Sequence, residues 1–555
     1  MKKILLSATA ICLSAVCAFS QFNTSTVTST GNNNTATVSQ AGNANNSIIT
    51  QTGDGNGSTM TQSGITNFGI SIQLGNGNGA SQVQIGSNNT AYNDNFGAAG
   101  QEGDGNSMSQ TQMGDNNNAW NNQFGNYNAS SQYQDGYMNS AGTAQLGDGN
   151  VASQEQIGEE NNAYSRQNGD GNWAAQYQNG FNNQAVNGGD NFAGQNGNGN
   201  YLSQSQMGNN NYAINIQQGD GNEASQAQNG SNNRAFNGVD YGYYGYPEYG
   251  QYPGQIGNGN SLSQSQSGDY NYARNYQYGN GNSASQSQSG TSNYALNYQI
   301  GNDNSADQSQ SGLNNLAYNY YQLGDENTAA QEQIGNSNYA FSRQFGTGNF
   351  ARQYQEGNSN QAFNGNWYSP GQNGSGNILF QSQRGEWNTA TNWQVGDDNY
   401  SAQQQWDNGA FNNALVQQYG NGNTNWQFQS GVENSAVAYQ GGDNNLSFQL
   451  TYGNNNMTST EQYGNGNRAE QLQGVTGPFG GYYYYGSPSD DNDADIYQEG
   501  DDNGAFQIQS GFEHSAMTWQ LGNSNSATTS QTGNNHISTI TQTGNGNMAT
   551  VTQNN

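Results

Sequence analysis

Residues 145–156 read Gln145-Leu146-Gly147-Asp148-Gly149-Asn150-Val151-Ala152-Ser153-Gln154-Glu155-Gln156. Seven alternating residues, Asn150 to Gln156, follow a short break that carries glycine, and Ile157-Gly158-Glu159-Glu160 repeats the break. Alternation predicts a strand, and glycine in the break predicts a tight turn, because it takes positive φ without strain. The frame continues in both directions. Gln134, Gln145, Gln156, Gln167 and Gln178 recur every 11 residues, with Gly136, Gly147, Gly158, Gly169 and Gly180 two residues behind them. Asn139, Asn150, Asn161, Asn172 and Asn183 keep step, as do Ala141, Ala152, Ala163, Ala174 and Ala185.

The full period is 22. Gly-x-Gly-Asn appears only in alternate turns, as at Gly147-Asp148-Gly149 and Gly169-Asp170-Gly171, whereas Gly86, Gly114, Gly158 and Gly208 open Gly-x-x-Asn. One coil is therefore strand, turn, strand, turn. Stacked coils form an all-β solenoid of about 22 two-strand turns, roughly 105 Å long at about 4.8 Å per coil. With strand positions 1, 3, 5 and 7 inward, the core is Asn, Ala, an amide or Ser, and Gln. Amides one above another then form ladders, which is the role expected of Asn139, Asn150, Asn161, Asn172, Gln145, Gln156, Gln167 and Gln178, with Ala152 and Ala163 between them. Gly147, Gly149, Gly158, Gly169 and Gly171 are expected to make the turns.

This architecture resolves a difficulty in the composition. Only 31% of 555 residues are hydrophobic and 9% are charged, with 79 glycines, so several conventional cores are excluded. Insertions interrupt the repeat at about 92–100, 186–194, 236–254, 318–321, 363–371, 406–417 and 474–497, and all five prolines lie inside them. Every insertion is expected along one side of the rod, in the strand after a Gly-x-x-Asn turn. Residues 1–20 read as a signal peptide: Lys2 and Lys3, an apolar run from Ile4 to Phe19, and a small-residue cleavage site at Ala18-x-Ser20. Residues 21–555 then form one continuous solenoid, exported from the cell. Both cysteines and both lysines leave with the signal, and seven arginines against 39 carboxylates put the mature chain at −32. Nucleic acid is excluded as a partner by that charge, and no further run is long enough to insert into a membrane.

Catalytic, cofactor and metal sites are not expected. His514 and His536 replace the Asn that ends a turn, and are expected to face solvent. The acidic run Asp490 to Asp495 lacks the glycine and closing glutamate of an EF-hand loop. Acids in turns act instead as gatekeepers against premature aggregation.

The Gln-x-Gly-x-Gly-Asn-x-Ala-x-x-x-Gln pattern with its 22-residue period, complete from Gln145 to Gln156, resembles the curlin repeat of curli-type functional amyloid subunits. The resemblance runs over nearly all of residues 23–553. It implies an extracellular fibre of the biofilm matrix, other curlin-like subunits as partners, and a dedicated outer-membrane secretion system. This chain differs in having about 22 coils instead of a handful, and it has no separate stretch between signal and first repeat.

The ends point to self-association on their own account. The pattern starts at Asn23-x-Ser25-x-Val27 and closes at Asn547-x-Ala549-x-Val551-x-Gln553 with no capping helix, and bare terminal strands offer backbone groups to another chain. Val27, Ile537, Ile540 and Val551 are the expected joining residues. Outward position 4 after a Gly-x-x-Asn turn is mostly large and apolar (Tyr92, Trp120, Tyr164, Phe236, Phe341), against Ser109, Ser131 and Ser153 on the other strands. An aromatic face and a serine face follow, and the aromatic one suits adhesion. The alternative to a fibre is a monomeric adhesin that binds a surface or matrix polymer through that face. The Tyr-rich insertions around 241–246 and 480–485 are read either as sticky surface loops or as flexible low-complexity linkers.

Overall fold

The computed structural model describes residues 22–554 apart from 96–97, 190–191, 239–253, 367, 480–481 and 486–488. The signal segment 1–20 and the insertion tyrosines at 241–246 lie outside the described residues. The chain is an all-β solenoid of about 22 turns. Strands alternate between two parallel sheets. One has seven-residue strands such as Ser140–Leu146 and Asn162–Asn168. The other has nine-residue strands such as Val151–Glu159 and Trp173–Phe181, with 22 strands among the described residues.

Register is strict. Val151 to Glu159 pair residue by residue with Trp173 to Phe181, each with the residue one period later. Position 4 faces outward and positions 1, 3, 5 and 7 face inward: Asn150, Ala152, Gln154 and Gln156 are all buried, whereas Val151, Ser153 and Glu155 are not. Hydrocarbon in this core is thin, as in the column Ala174, Leu202, Ala224, Leu262 and Ala284.

Two kinds of positive φ make each turn. The first glycine sits near +110°, as at Gly147 (116°), Gly158 (111°) and Gly169 (113°). The residue two further on lies near +57°, where Gly149 (66°) and Gly171 (65°) alternate with Glu160 (55°), Asn182 (52°) and Tyr127 (55°). A Cβ on Gly147 would lie 2.2 Å from the Gly169 carbonyl oxygen, and one on Gly158 would lie 2.1 Å from that of Gly180. At Gly149 and Gly171 nothing lies within 4 Å. Stacking therefore requires the first glycine, while the second only needs a left-handed backbone that Asn, Asp and a few larger residues tolerate.

Five of the seven insertions leave the seven-residue sheet in mid-strand. Four depart after the buried position-5 residues Asn93, Asn187, Asn237 and Asn364, and re-enter at Gly100, Gly194, Gly254 and Gly371. At Gly100, for example, a Cβ would lie 2.2 Å from the Asn93 carbonyl carbon, so glycine closes the neck and the ladder continues uninterrupted. The fifth shifts register around Tyr321. The insertions expected at 406–417 and 474–497 are placed differently. They end the preceding nine-residue strands, where the register slips between Gln405 and Gly409 and where the chain leaves after Gln473. In the second, Val475–Phe479 and Tyr482–Tyr485 pair as an antiparallel hairpin instead of forming a linker. Ser489 then takes the place of the turn glycine, its carbonyl accepting from Asn456 Nδ2. The repeat frame carries the difference: Gly409-x-x-Asn412-x-Ala414 and Asn492-x-Ala494 keep their spacing after these insertions, whereas Asn89-x-Ala91 keeps it before the break that precedes Gln101.

Candidate functional site

Among the described residues the recurring chemistry lies in the ladders and in the first and last coils. Gln156 Nε2 donates to Gln178 Oε1 at 2.8 Å, and Gln156 Oε1 accepts from Gln134 Nε2 of the coil before at the same distance. It also donates across the interior to the Ser140 carbonyl at 2.8 Å. Gln145 donates likewise to Gln167 (2.9 Å) and to the Ala129 carbonyl (3.0 Å). Each glutamine thus ties neighbouring coils along the rod and the two sheets across it. Asn150 Oδ1 accepts from the Asn172 backbone N–H at 2.9 Å, and Asn150 Nδ2 donates to the Gly169 carbonyl at 2.7 Å. Asn139 Nδ2 donates to Gly158 and Asn161 Nδ2 to Gly180. A buried amide so partnered escapes the desolvation penalty of a lone polar group. Ala152 and Ala163 lie buried between these rows.

Several buried polar atoms lack a partner, and at Asn425 both ends of the amide do: it is fully buried where most coils carry Ala, between Ser401 and Ser447 of the adjoining coils. Asn425→Ala is expected to stabilise the surrounding coils by about 1–3 kcal/mol, read as slower local hydrogen exchange. Unchanged or faster exchange would contradict that assignment.

His514 does not face solvent as expected from the sequence, and His536 is half-buried. His514 is 1% exposed and stacks on His536 with ring centroids 5.2 Å apart and planes 1° from parallel. They occupy the Asn column, and the column faces inward. His514 Nδ1 accepts from the His536 backbone N–H at 3.2 Å, and its Nε2 contacts the Ser510 carbonyl at 3.3 Å. Burial, with His536 beside it, holds the His514 imidazole below the usual histidine range. On the outside, burial pushes the Asp495 carboxyl up to about 6, with Asp493 and Glu461 adding to the shift.

At the ends, Thr24–Thr30 and Thr35–Asn43 pair only with the coil after them, and Ile537–Thr543 and Met548–Asn554 only with the coil before, among the described residues. Val27 (48% exposed) and Val551 sit at inward position 5 of these strands, as does Ile540 (4%). Ile537 is at position 2 and points outward, 73% exposed, so it is not part of an end surface. Val38, at position 5 of Thr35–Asn43, belongs to that set instead; the 11-residue frame marks it.

The outer faces are also less separate than the sequence suggests. Trp120, Tyr92 and Tyr164 are half-buried on the outside of the seven-residue sheet, with Trp120 and Tyr164 in contact. Ile214, Phe236 and Phe341 are buried there, and Ile214 and Phe236 pack on outward neighbours including Tyr212 and Tyr272. The nine-residue sheet starts with serines but turns aromatic further along. Phe350, Phe380, Tyr400, Trp426, Phe428 and Phe448 form a continuous chain of ring contacts. Among the described residues no group of three or more His, Cys, Asp or Glu is placed to hold a metal ion, and no helix is long and apolar enough to cross a membrane.

Fold and ladders define a structural repeat protein whose surface of interest is its own cross-section. The curlin associated repeat matches residues 23–64, 490–520 and 522–554, which places it in the first two coils and the last three. The chain thus carries curlin repeats in the coils at both ends of its solenoid. No curated protein matches it.

Proposed function

We propose that this protein is secreted and polymerises end to end into extracellular amyloid-like fibres of a biofilm matrix. The observation that carries this reading is the match between the two end coils. Placed one period beyond the last coil, the first coil sets Asn23, Ser25, Val27 and Ser29 over His536, Ser538, Ile540 and Gln542. On the other sheet it sets Asn34, Ala36, Val38 and Gln40 over Asn547, Ala549, Val551 and Gln553. Small residues meet small, and the position-5 residues that are mostly amides in the central coils are apolar at both ends.

Ladder polarity agrees. Each glutamine Nε2 donates toward the following coil, so Gln553 Nε2 points to where Gln40 Oε1 of a second chain arrives. Such a joint is heterologous and open, which yields a filament instead of a closed ring. The outer aromatic rows support adhesion or lateral packing as a second role of the same fibre.

Purified residues 21–555, diluted from denaturant, are expected to grow fibres that sonicated seeds accelerate, with a reflection near about 4.7 Å along the fibre axis. A soluble β-rich monomer that never seeds would favour the monomeric adhesin.

A further inference from the structure

We infer that the last coil is a docking surface for a second copy of this chain that closes only when His536 is neutral. The inference rests on the end-to-end reading above and adds its regulation. Along the Asn column each side chain has two tasks. Its oxygen accepts the backbone N–H of the next coil, and its amide nitrogen donates to nearby carbonyls, as when Asn547 Nδ2 reaches the Thr543 carbonyl four residues back at 3.1 Å. An amide performs both tasks at any pH.

His514 shows how imidazole does the same work. Nδ1 accepts the His536 N–H, and Nε2 faces the carbonyl four residues back. This is possible only for the neutral ring with its proton on Nε2, since imidazolium carries N–H on both nitrogens. His536 repeats the arrangement, with Nε2 3.0 Å from the Thr532 carbonyl. Its Nδ1 meets no N–H among the described residues, and in the end-to-end joint the next coil in that column is that of a second chain. The N–H that register brings there is that of Asn23. A protonated His536 sets a donor against that donor and leaves a positive charge at a closing interface, a costly combination.

Nearby groups do not offset that cost. The adjoining turns carry Asp490, Asp491 and Glu513, with Asp491 and Glu513 exposed. Asp493 meets the column through its backbone N–H to the His514 carbonyl. The strand Ser526–Asn534 that leads into the His536 turn carries no charged residue. His514, already covered by the next coil, has its Nδ1 committed as an acceptor, which is the role the joint asks of His536. The sign follows: joining is favoured above the range where imidazoles titrate and weakens below it.

The test is seeded growth of the full mature chain and of His536→Asn at about pH 8 and about pH 5.5. For the wild type, the soluble chain left at the end of growth is expected to rise by about tenfold per pH unit below the imidazole titration. His536→Asn restores the residue of the other coils, so it folds into the same column and should leave the same soluble fraction at both pH values. Equal growth of the wild type at both, or an undiminished acid loss in His536→Asn, overturns the gate and leaves the fibre reading intact. Absence of fibres from both chains at both pH values overturns the fibre reading and the gate with it.

Discussion

A Val551→Asp chain is expected to fold as a solenoid and to fail at fibre growth. Val551 faces inward on Met548–Asn554, the last strand of its sheet, with one side against Thr529 and the other open among the described residues. In the single chain an aspartate there reaches water through the open side, so far-ultraviolet circular dichroism should be unchanged. In the joint it would lie against Val38 with no cation near, and an unpaired buried charge costs about 3–5 kcal/mol. Elongation should fall by about 100-fold or more. Ile537→Asp is the control, since that side chain is 73% exposed and points away from the end surface. Growth of Val551→Asp at the wild-type rate would show that the last coil is not a joining surface.

The second large effect is expected inside the rod. Gly158→Ala places a methyl group 2.1 Å from the Gly180 carbonyl oxygen, on backbone at a φ of 111°. Neither turn can move alone, because Asn161 Nδ2 holds the Gly180 carbonyl at 2.9 Å. The coils around residues 136–180 should lose about 3 kcal/mol or more. Gly149→Asn, at a φ of 66° with open space around it, should cost under about 1 kcal/mol. A long stack is not two-state, so the measurement is hydrogen exchange or limited proteolysis mapped coil by coil. Equal protection in the two variants would mean that the turn glycines serve only for φ and not for stacking.

Much of this protein is legible in its sequence because its interactions are nearly one-dimensional. Each coil pairs only with its neighbours, and equivalent backbone positions meet one coil apart. The spacing of Gln145, Gln156 and Gln167 therefore determined the strands, the two-sheet coil and the inward placement of the amides. The position-5 residues Val27, Val38, Ile540 and Val551 mark both ends in the same way.

Tertiary structure alone decided what departs from a neighbour-to-neighbour rule. It shows that Gly158 is required for close approach while Gly149 is required only for φ, a difference set by a carbonyl in another coil. It pairs Val475–Phe479 with Tyr482–Tyr485 as a hairpin inside one insertion, a contact that the repeat frame does not encode. It turns His514 inward, because the column it occupies, and not the polarity of imidazole, fixes its direction. It also joins Phe380, Tyr400, Trp426 and Phe448 into one outer patch, across coils that a single repeat unit never compares. Outside that hairpin the deciding contact lies between residues one or more periods apart, and its geometry depends on how the coils stack.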